Sequence, residues 1–177
     1  MTILHIDSSI LGENSVSRDL TAAIVAELKA QGDTEVLRRD LADAASEAAF
    51  TGDAVEQLLS ADTLVIGAPM YNFAIPHQLK AWIDSVAVAG KTFQYTAEGP
   101  QGLAGGRRTI VVYASGGVHD GTTDFVEPYL RQVLGFIGIT DVTVLRVEGV
   151  ALSPEARAKA INDARAKVPA LVQQIAA

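Results

Sequence analysis

Cysteine is absent from the 177 residues. That excludes a disulfide framework, a Cys-ligated zinc site and a thiol nucleophile. No apolar run reaches the ~18 residues that a membrane-spanning helix needs, so no membrane partner is expected. The N-terminus enters a strand-like segment at once, without a basic n-region or an apolar h-region. No export signal is therefore visible, and a cytoplasmic location is expected. Basic residues are outnumbered, 14 Lys and Arg against 21 Asp and Glu, and the net charge of −7 disfavours nucleic acid or an anionic surface as partner. Glycine-rich phosphate loops are missing too: neither Gly-x-Gly-x-x-Gly nor a Walker pattern occurs, and Gly12 alone is no dinucleotide fingerprint. The 3 histidines are scattered and make no metal site. The carboxylates show no paired spacing that suggests hydrolysis, and no Ser sits in a nucleophile elbow.

What remains is an ordinary soluble balance, 49% apolar and 20% charged, in a chain of single-domain length. Strands are expected at Ile3–Ser8, Glu35–Leu41, Thr63–Ala68, Thr109–Ala114 and Val142–Val147. Helical stripes lie between them. Leu20, Ile24 and Leu28 form one, stopped by Gly32, and Ile75, Leu79, Trp82, Ile83 and Val86 form another, opened by Pro76. Phe125, Tyr129, Val133 and Phe136 make a third. Ser153-Pro154-Glu155 reads as a helix start, and Pro169 is expected to kink or restart that last helix. Residues 42–52 read as a surface loop with a short helix after it, and residues 91–106 as an ordered excursion, with a hairpin in view. Strands apolar on both faces and separated by helices imply a parallel sheet covered on both sides. The α/β alternation matches a flavodoxin-like three-layer sandwich: one domain over 1–177, a five-stranded parallel sheet in the order 2-1-3-4-5, and helices on both faces.

In such a sheet, ligands sit beyond the carboxyl ends of the strands, and three of these ends carry signals. Strand 1 runs into Ser8-Ser9 and then Ser15-Val16-Ser17 at a helix start, where free N–H groups and the dipole suit a phosphate. Any one of these serines reads equally as a helix cap, but three in one turn point further. Without pyrophosphate-type glycines, a monophosphate fits better. Strand 3 runs into Pro69-Met70-Tyr71-Asn72-Phe73, whose rings suit either stacking on a planar ligand or packing on the next helix. Strand 4 ends in Ala114-Ser115-Gly116-Gly117, where paired glycines permit close backbone approach, and His119 follows within reach of a ligand oxygen. His5 reads as a core residue and His77 as solvent-facing.

Ser9, Ser15-Val16-Ser17-Arg18 and Ala68-Pro69-Met70-Tyr71-Asn72-Phe73 together resemble the FMN-dependent NADH-azoreductase family, also called NADH:quinone oxidoreductases. The likeness continues through Gln78-Leu79-Lys80, Thr92-Phe93-Gln94-Tyr95-Thr96 with Gly99-Pro100, and Gly116-Gly117-Val118-His119. It implies bound FMN, with Ser9, Ser15, Val16 and Ser17 at the phosphate. Pro69, Met70, Tyr71, Asn72 and Phe73 would then lie along the ring edge, and Ala114, Ser115, Gly116 and Gly117 around the opposite edge. It also implies a homodimer, NADH or NADPH as donor, and quinones or azo compounds as small aromatic acceptors. It implies further that hydride would pass through flavin N5 in a ping-pong sequence. No side chain is an obligate acid or base; His119 and Tyr95 are the catalytic candidates. The chain departs from the pattern in a shorter 42–61 segment and in Ala114-Ser115 where Ser-Arg is usual. The rival reading is a flavodoxin-type electron carrier with no substrate of its own. A phospho-receiver domain is rejected, because Pro69 and Met70 stand where its Asp would be.

Overall fold

The structure is a computed structural model that describes residues 1–43 and 53–176. The expected loop at 42–52 falls, from residue 44 on, outside the described residues. Five parallel strands form one sheet: β1 (Thr2–Asp7), β2 (Glu35–Asp40), β3 (Thr63–Pro69), β6 (Arg108–Ala114) and β7 (Asp141–Val147), in the order β2-β1-β3-β6-β7. With the excursion strands left out of the numbering, this is the expected 2-1-3-4-5. Each strand lies within one residue of its expected bounds, because apolar runs flanked by polar turns mark buried strands sharply.

Among the described residues, four α-helices lie between the strands, α1 (Val16–Ala30), α2 (Ala54–Ser60), α3 (His77–Val86) and α4 (Val126–Phe136), and α5 (Pro154–Ala176) follows β7. Successive strand residues point to opposite sides of a sheet, and the core divides accordingly. Ile3, Val65, Ile110 and Val112 join Leu20 and Ile24 of α1 and Val168 and Val172 of α5. Leu4, Ile6, Leu64, Ile66, Val111 and Tyr113 join Leu58 of α2, Leu79 and Trp82 of α3, and Leu130 and Leu134 of α4.

Two helices refine the expectation. Of the two readings of Pro169, a restart is excluded, because α5 runs as one element through it. Pro169 is exposed, so water can serve the carbonyl of Arg165 that loses its N–H partner. In α4 the buried residues are Val126, Leu130 and Leu134, and not the Phe125–Phe136 stripe. Both sets recur at helical spacing, so periodicity alone cannot rank them. Of the aromatic set, Phe125 and Tyr129 border a groove of about 660 Å³ between α3 and α4 with Ile75 and Lys80, while Val133 and Phe136 lie partly buried against the core.

The excursion after α3 is a hairpin, β4 (Phe93–Thr96) against β5 (Gly99–Gly102). It is fastened low on the helices. Thr92 Oγ1 donates to the Val86 carbonyl at 2.7 Å, and the Phe93 ring meets that of Phe136 at 4.6 Å. A Cβ on Gly102 would come within 2.1 Å of the Gly138 backbone nitrogen, so only glycine allows the hairpin to seat there. The hairpin thus rests on the last turns of α3 and α4, whose first turns follow the strand ends.

Candidate functional site

The carboxyl ends of β1, β3 and β6 open into one cavity of about 300 Å³. Its walls come from three turns. Ser9, Ser15, Val16 and Ser17 belong to the first, Pro69, Met70 and Tyr71 to the second, and Ala114, Ser115 and Gly116 to the third. Ten of the thirteen residues expected at the ligand thus meet at one place. The cavity lies where the chain order reverses across the sheet, the position open α/β sheets use for ligands.

The first turn is built around serine hydroxyls. Ser15 caps α1: its Oγ accepts the Arg18 N–H at 3.2 Å and lies 3.2 Å from Ser17 Oγ. Among the described residues, the N–H groups of Val16 and Ser17 have no protein acceptor. They are the first donors of a 15-residue helix, at its positive end. Ser9 Oγ shares a 2.9 Å hydrogen bond with Tyr71 Oη, which joins the first turn to the second.

Arg18 does not face this cavity; it braces the turn from behind. Its guanidinium holds Asp40 (Nη2–Oδ1 2.9 Å) and donates to the Ser9 carbonyl at 3.2 Å. The Arg18 hydrogen bond holds the Asp40 carboxyl below its ordinary range. Asp7 is buried under the same group. Burial pushes its carboxyl up, and His5, the Thr21 hydroxyl and Arg18 more than offset this, so it sits below the usual range. His5 is the buried core residue expected, and His77 is exposed as expected.

The second turn is strained. Tyr71 and Ala74 exchange backbone hydrogen bonds at 2.9 and 3.1 Å around Asn72 and Phe73, both at positive φ (50° and 67°). Two adjacent positive φ values mark a type I′ turn, which Asn tolerates and Phe does not favour. Asn72 and Phe73 project beyond the cavity walls, and the Phe73 ring meets His119 edge-on at 5.8 Å. His119 therefore stands at the rim, with its Nδ1 3.3 Å from Thr123 Oγ1 and its backbone N–H donating to Glu148 Oε1 at 2.9 Å.

The third turn is pinned by the loop after β7. Ser115 Oγ donates to the Gly117 carbonyl at 2.8 Å, and Gly117 accepts from Gly149 at 2.9 Å, so Gly117 is spent on the scaffold. Beneath the rim lies Arg146, held by Glu148, Asp124 and Glu127, with its guanidinium 4.4 Å from the Tyr113 ring centre. The Glu148 hydrogen bond leads the effects that raise the Arg146 pKa. Burial pushes Asp124 and Glu148 up, and Arg146 overcomes this and holds both low.

Tyr95 is not brought to this cavity. It stands 75% exposed on the hairpin at the far ends of α3 and α4. Sequence reasoning missed Leu11, Asn14, Val150, Ala151 and Arg157, which also line the cavity. The first two flank the serines, and their inclusion was open to a reader of the turn. The other three arrive from the far end of the chain, and no local pattern marks them.

Among the described residues, no helix is long and apolar enough to cross a membrane, and no His, Cys, Asp and Glu cluster could hold a metal. A protein-family profile described as a flavodoxin-like fold matches residues 1–172. An FMN-dependent NADH:quinone oxidoreductase 1 of Xanthomonas axonopodis pv. citri (strain 306) is 53% identical, with 94% of each chain covered. An FMN-dependent NADH:quinone oxidoreductase of Azospirillum brasilense is 47% identical over 100% of both. Among solved structures, an azoreductase from Bacillus anthracis str. Sterne superposes with a TM-score of 0.84 at 25% identity, covering 98% of this chain and 99% of that one. Strand order, the three converging turns and these likenesses agree: the chain belongs to the flavodoxin-like family of FMN-dependent NADH:quinone oxidoreductases.

Proposed function

We propose that the strand-end cavity holds FMN and that the protein uses NADH or NADPH to reduce quinones and azo compounds. One observation carries this reading: the turns after β1, β3 and β6 line a single cavity, to which the helix-start residues with free N–H groups and several apolar residues all contribute. The donor set fits a monophosphate. Val16 and Ser17 offer N–H groups, and Ser9, Ser15 and Ser17 offer hydroxyls, with no glycine loop for a pyrophosphate.

FMN, when bound, supplies a ring that accepts and returns a hydride at N5; the protein supplies position and electrostatics. Pro69, Met70 and Ala114 supply the apolar part of the cavity wall. Asn72, Phe73, Gly117 and His119 shape the rim that an incoming ring meets. Donor and acceptor would use that rim in turn, which gives ping-pong kinetics. No group at the rim need be an obligate acid or base, and His119 is placed to orient an acceptor oxygen.

The reading extends to three helical and sheet layers, supported by the two core clusters that separate by strand face. It extends also to a homodimer in a cytoplasmic setting. Exposed Phe73 and Phe125 give a partner chain apolar surface near the rim. Tyr95 lies outside its own chain's cavity, so its candidacy depends on the cavity of a partner.

The test is spectroscopic. Purified protein should be yellow, NADH should bleach it rapidly without air, and a quinone should then restore the colour. Double-reciprocal plots at several quinone concentrations should be parallel. A flavin that NADH cannot reduce without a separate reductase would favour an electron carrier and sink the enzyme reading.

A further inference from the structure

Arg157, on the second turn of α5, lines the same cavity as Ser15, Val16 and Ser17. Seven of the nine arginines form ion pairs with carboxylates: Arg18, Arg38, Arg39, Arg108, Arg131, Arg146 and Arg165. Arg107 and Arg157 have no carboxylate partner among the described residues. Arg107 donates to the carbonyls of Leu58, Leu59 and Gly105 and borders no cavity described above. Among the described residues, the Arg157 side chain makes one hydrogen bond, from Nη2 to the Asn14 carbonyl at 2.8 Å. Asn14 directly precedes the capping Ser15, so the guanidinium is held beside the helix start with its other N–H groups unused. A half-buried cation with spare donors, beside two free backbone donors and two hydroxyls, is a set complementary to a dianion.

We propose that Arg157 is a specificity-determining residue, the charge partner of the cofactor phosphate, which makes this site prefer FMN to its unphosphorylated counterpart. The proposal rests on the FMN reading above. Helix dipole and serine hydroxyls supply neutral donors; Arg157 adds the full positive charge that the first turn lacks, since Arg18 is spent on Asp40 and Asp7. The arginine reaches the turn from residues far along the chain, which is why no phosphate motif contains it.

The experiment measures binding rather than turnover. Cofactor-free wild type, Arg157→Gln and Arg157→Lys are titrated with FMN and with riboflavin, read by quenching of flavin fluorescence, at low and high salt. In Arg157→Gln, FMN affinity should fall about tenfold while riboflavin affinity stays within about twofold, the scale of losing one charge-assisted hydrogen bond. The salt dependence of FMN binding should flatten in the same variant, and Arg157→Lys should recover part of the loss. Equal weakening of both flavins would overturn the proposal, since Arg157 would then act only by holding Asn14. Unchanged FMN affinity would overturn it as well. Wild type that binds neither flavin would overturn the cofactor reading itself, a result distinct from the other two.

Discussion

Asn72 and Phe73 occupy left-handed backbone side by side, and the second of them is a bulky residue more than half exposed. An L residue there costs about 1–2 kcal/mol, and little burial offsets it at Phe73. Such strain persists at ligand clamps, where the turn must hold a fixed shape. Here the Tyr71 hydroxyl is tied to Ser9 and the Phe73 ring to His119, so the turn links two of the cavity walls to the rim. Phe73→Gly should relieve the strain. Thermal unfolding of the cofactor-free variant should show a net gain of roughly 0.5–1 kcal/mol, after the larger chain entropy of Gly is counted. The lost ring should raise the Michaelis constant for quinone several-fold in steady-state assays. A variant less stable than wild type would mean that the Phe73–His119 contact outweighs the backbone cost.

At the scale of elements, two arginine clusters hold the strand ends. Arg18 joins β1, β2 and α1 through Asp7 and Asp40, while Arg146 of β7 joins the start of α4 and the loop that carries His119. Arg146→Met should cost ~2–3 kcal/mol at neutral pH, less than for a fully buried pair because the cluster is partly solvated. The pH dependence has a definite sign. In wild type, Asp124 and Glu148 titrate below their unfolded values, so their contribution is present above those values and fades as pH falls through the folded ones. Without Arg146 the same carboxyls face one another and burial, and their pKa values rise. The variant's deficit should therefore be largest at neutral pH and shrink on acidification toward pH 5. Urea denaturation across that range measures it, and a deficit independent of pH would exclude electrostatics as its cause. The sequence disclosed the elements but not these clusters, because an ion pair between β7 and α4 depends on a register that no local window contains.

For the whole molecule, the apolar groove between α3 and α4 is larger than the strand-end cavity. Its lining begins at Ala74, directly after the strained turn, and includes the exposed Phe125. In the proposed homodimer, a second copy would cover this surface and bring apolar groups near the rim. Light scattering should give twice the 18.6 kDa chain mass, and Phe125→Glu should shift the mass toward that of the monomer by placing a charge in the buried seam. A fully active monomer in wild type would remove the need for a partner at the site. The net charge of −7 sets the condition for this experiment: like-charged copies associate more readily at moderate salt than at very low salt.

Five strands and the three turns that meet at the cavity were all written in local sequence: apolar runs bounded by Ser, Pro-Met-Tyr-Asn-Phe and Gly-Gly; the strand order followed from the match to a known plan. Burial on both faces leaves a hydrophobic signature that needs no knowledge of neighbours, and turn residues act within a few positions of themselves. Other features were decided only by tertiary packing. The buried face of α4 is Val126, Leu130 and Leu134, while Phe125 and Tyr129 of the aromatic set border a groove. Pro169 passes through α5 because it faces solvent, a fact of packing and not of propensity. Tyr95, adjacent in pattern to site residues, is carried to the opposite end of the helices by the Gly102–Gly138 contact. Arg157 makes the reverse journey: it returns from the last helix to the first turn because α5 packs beside α1.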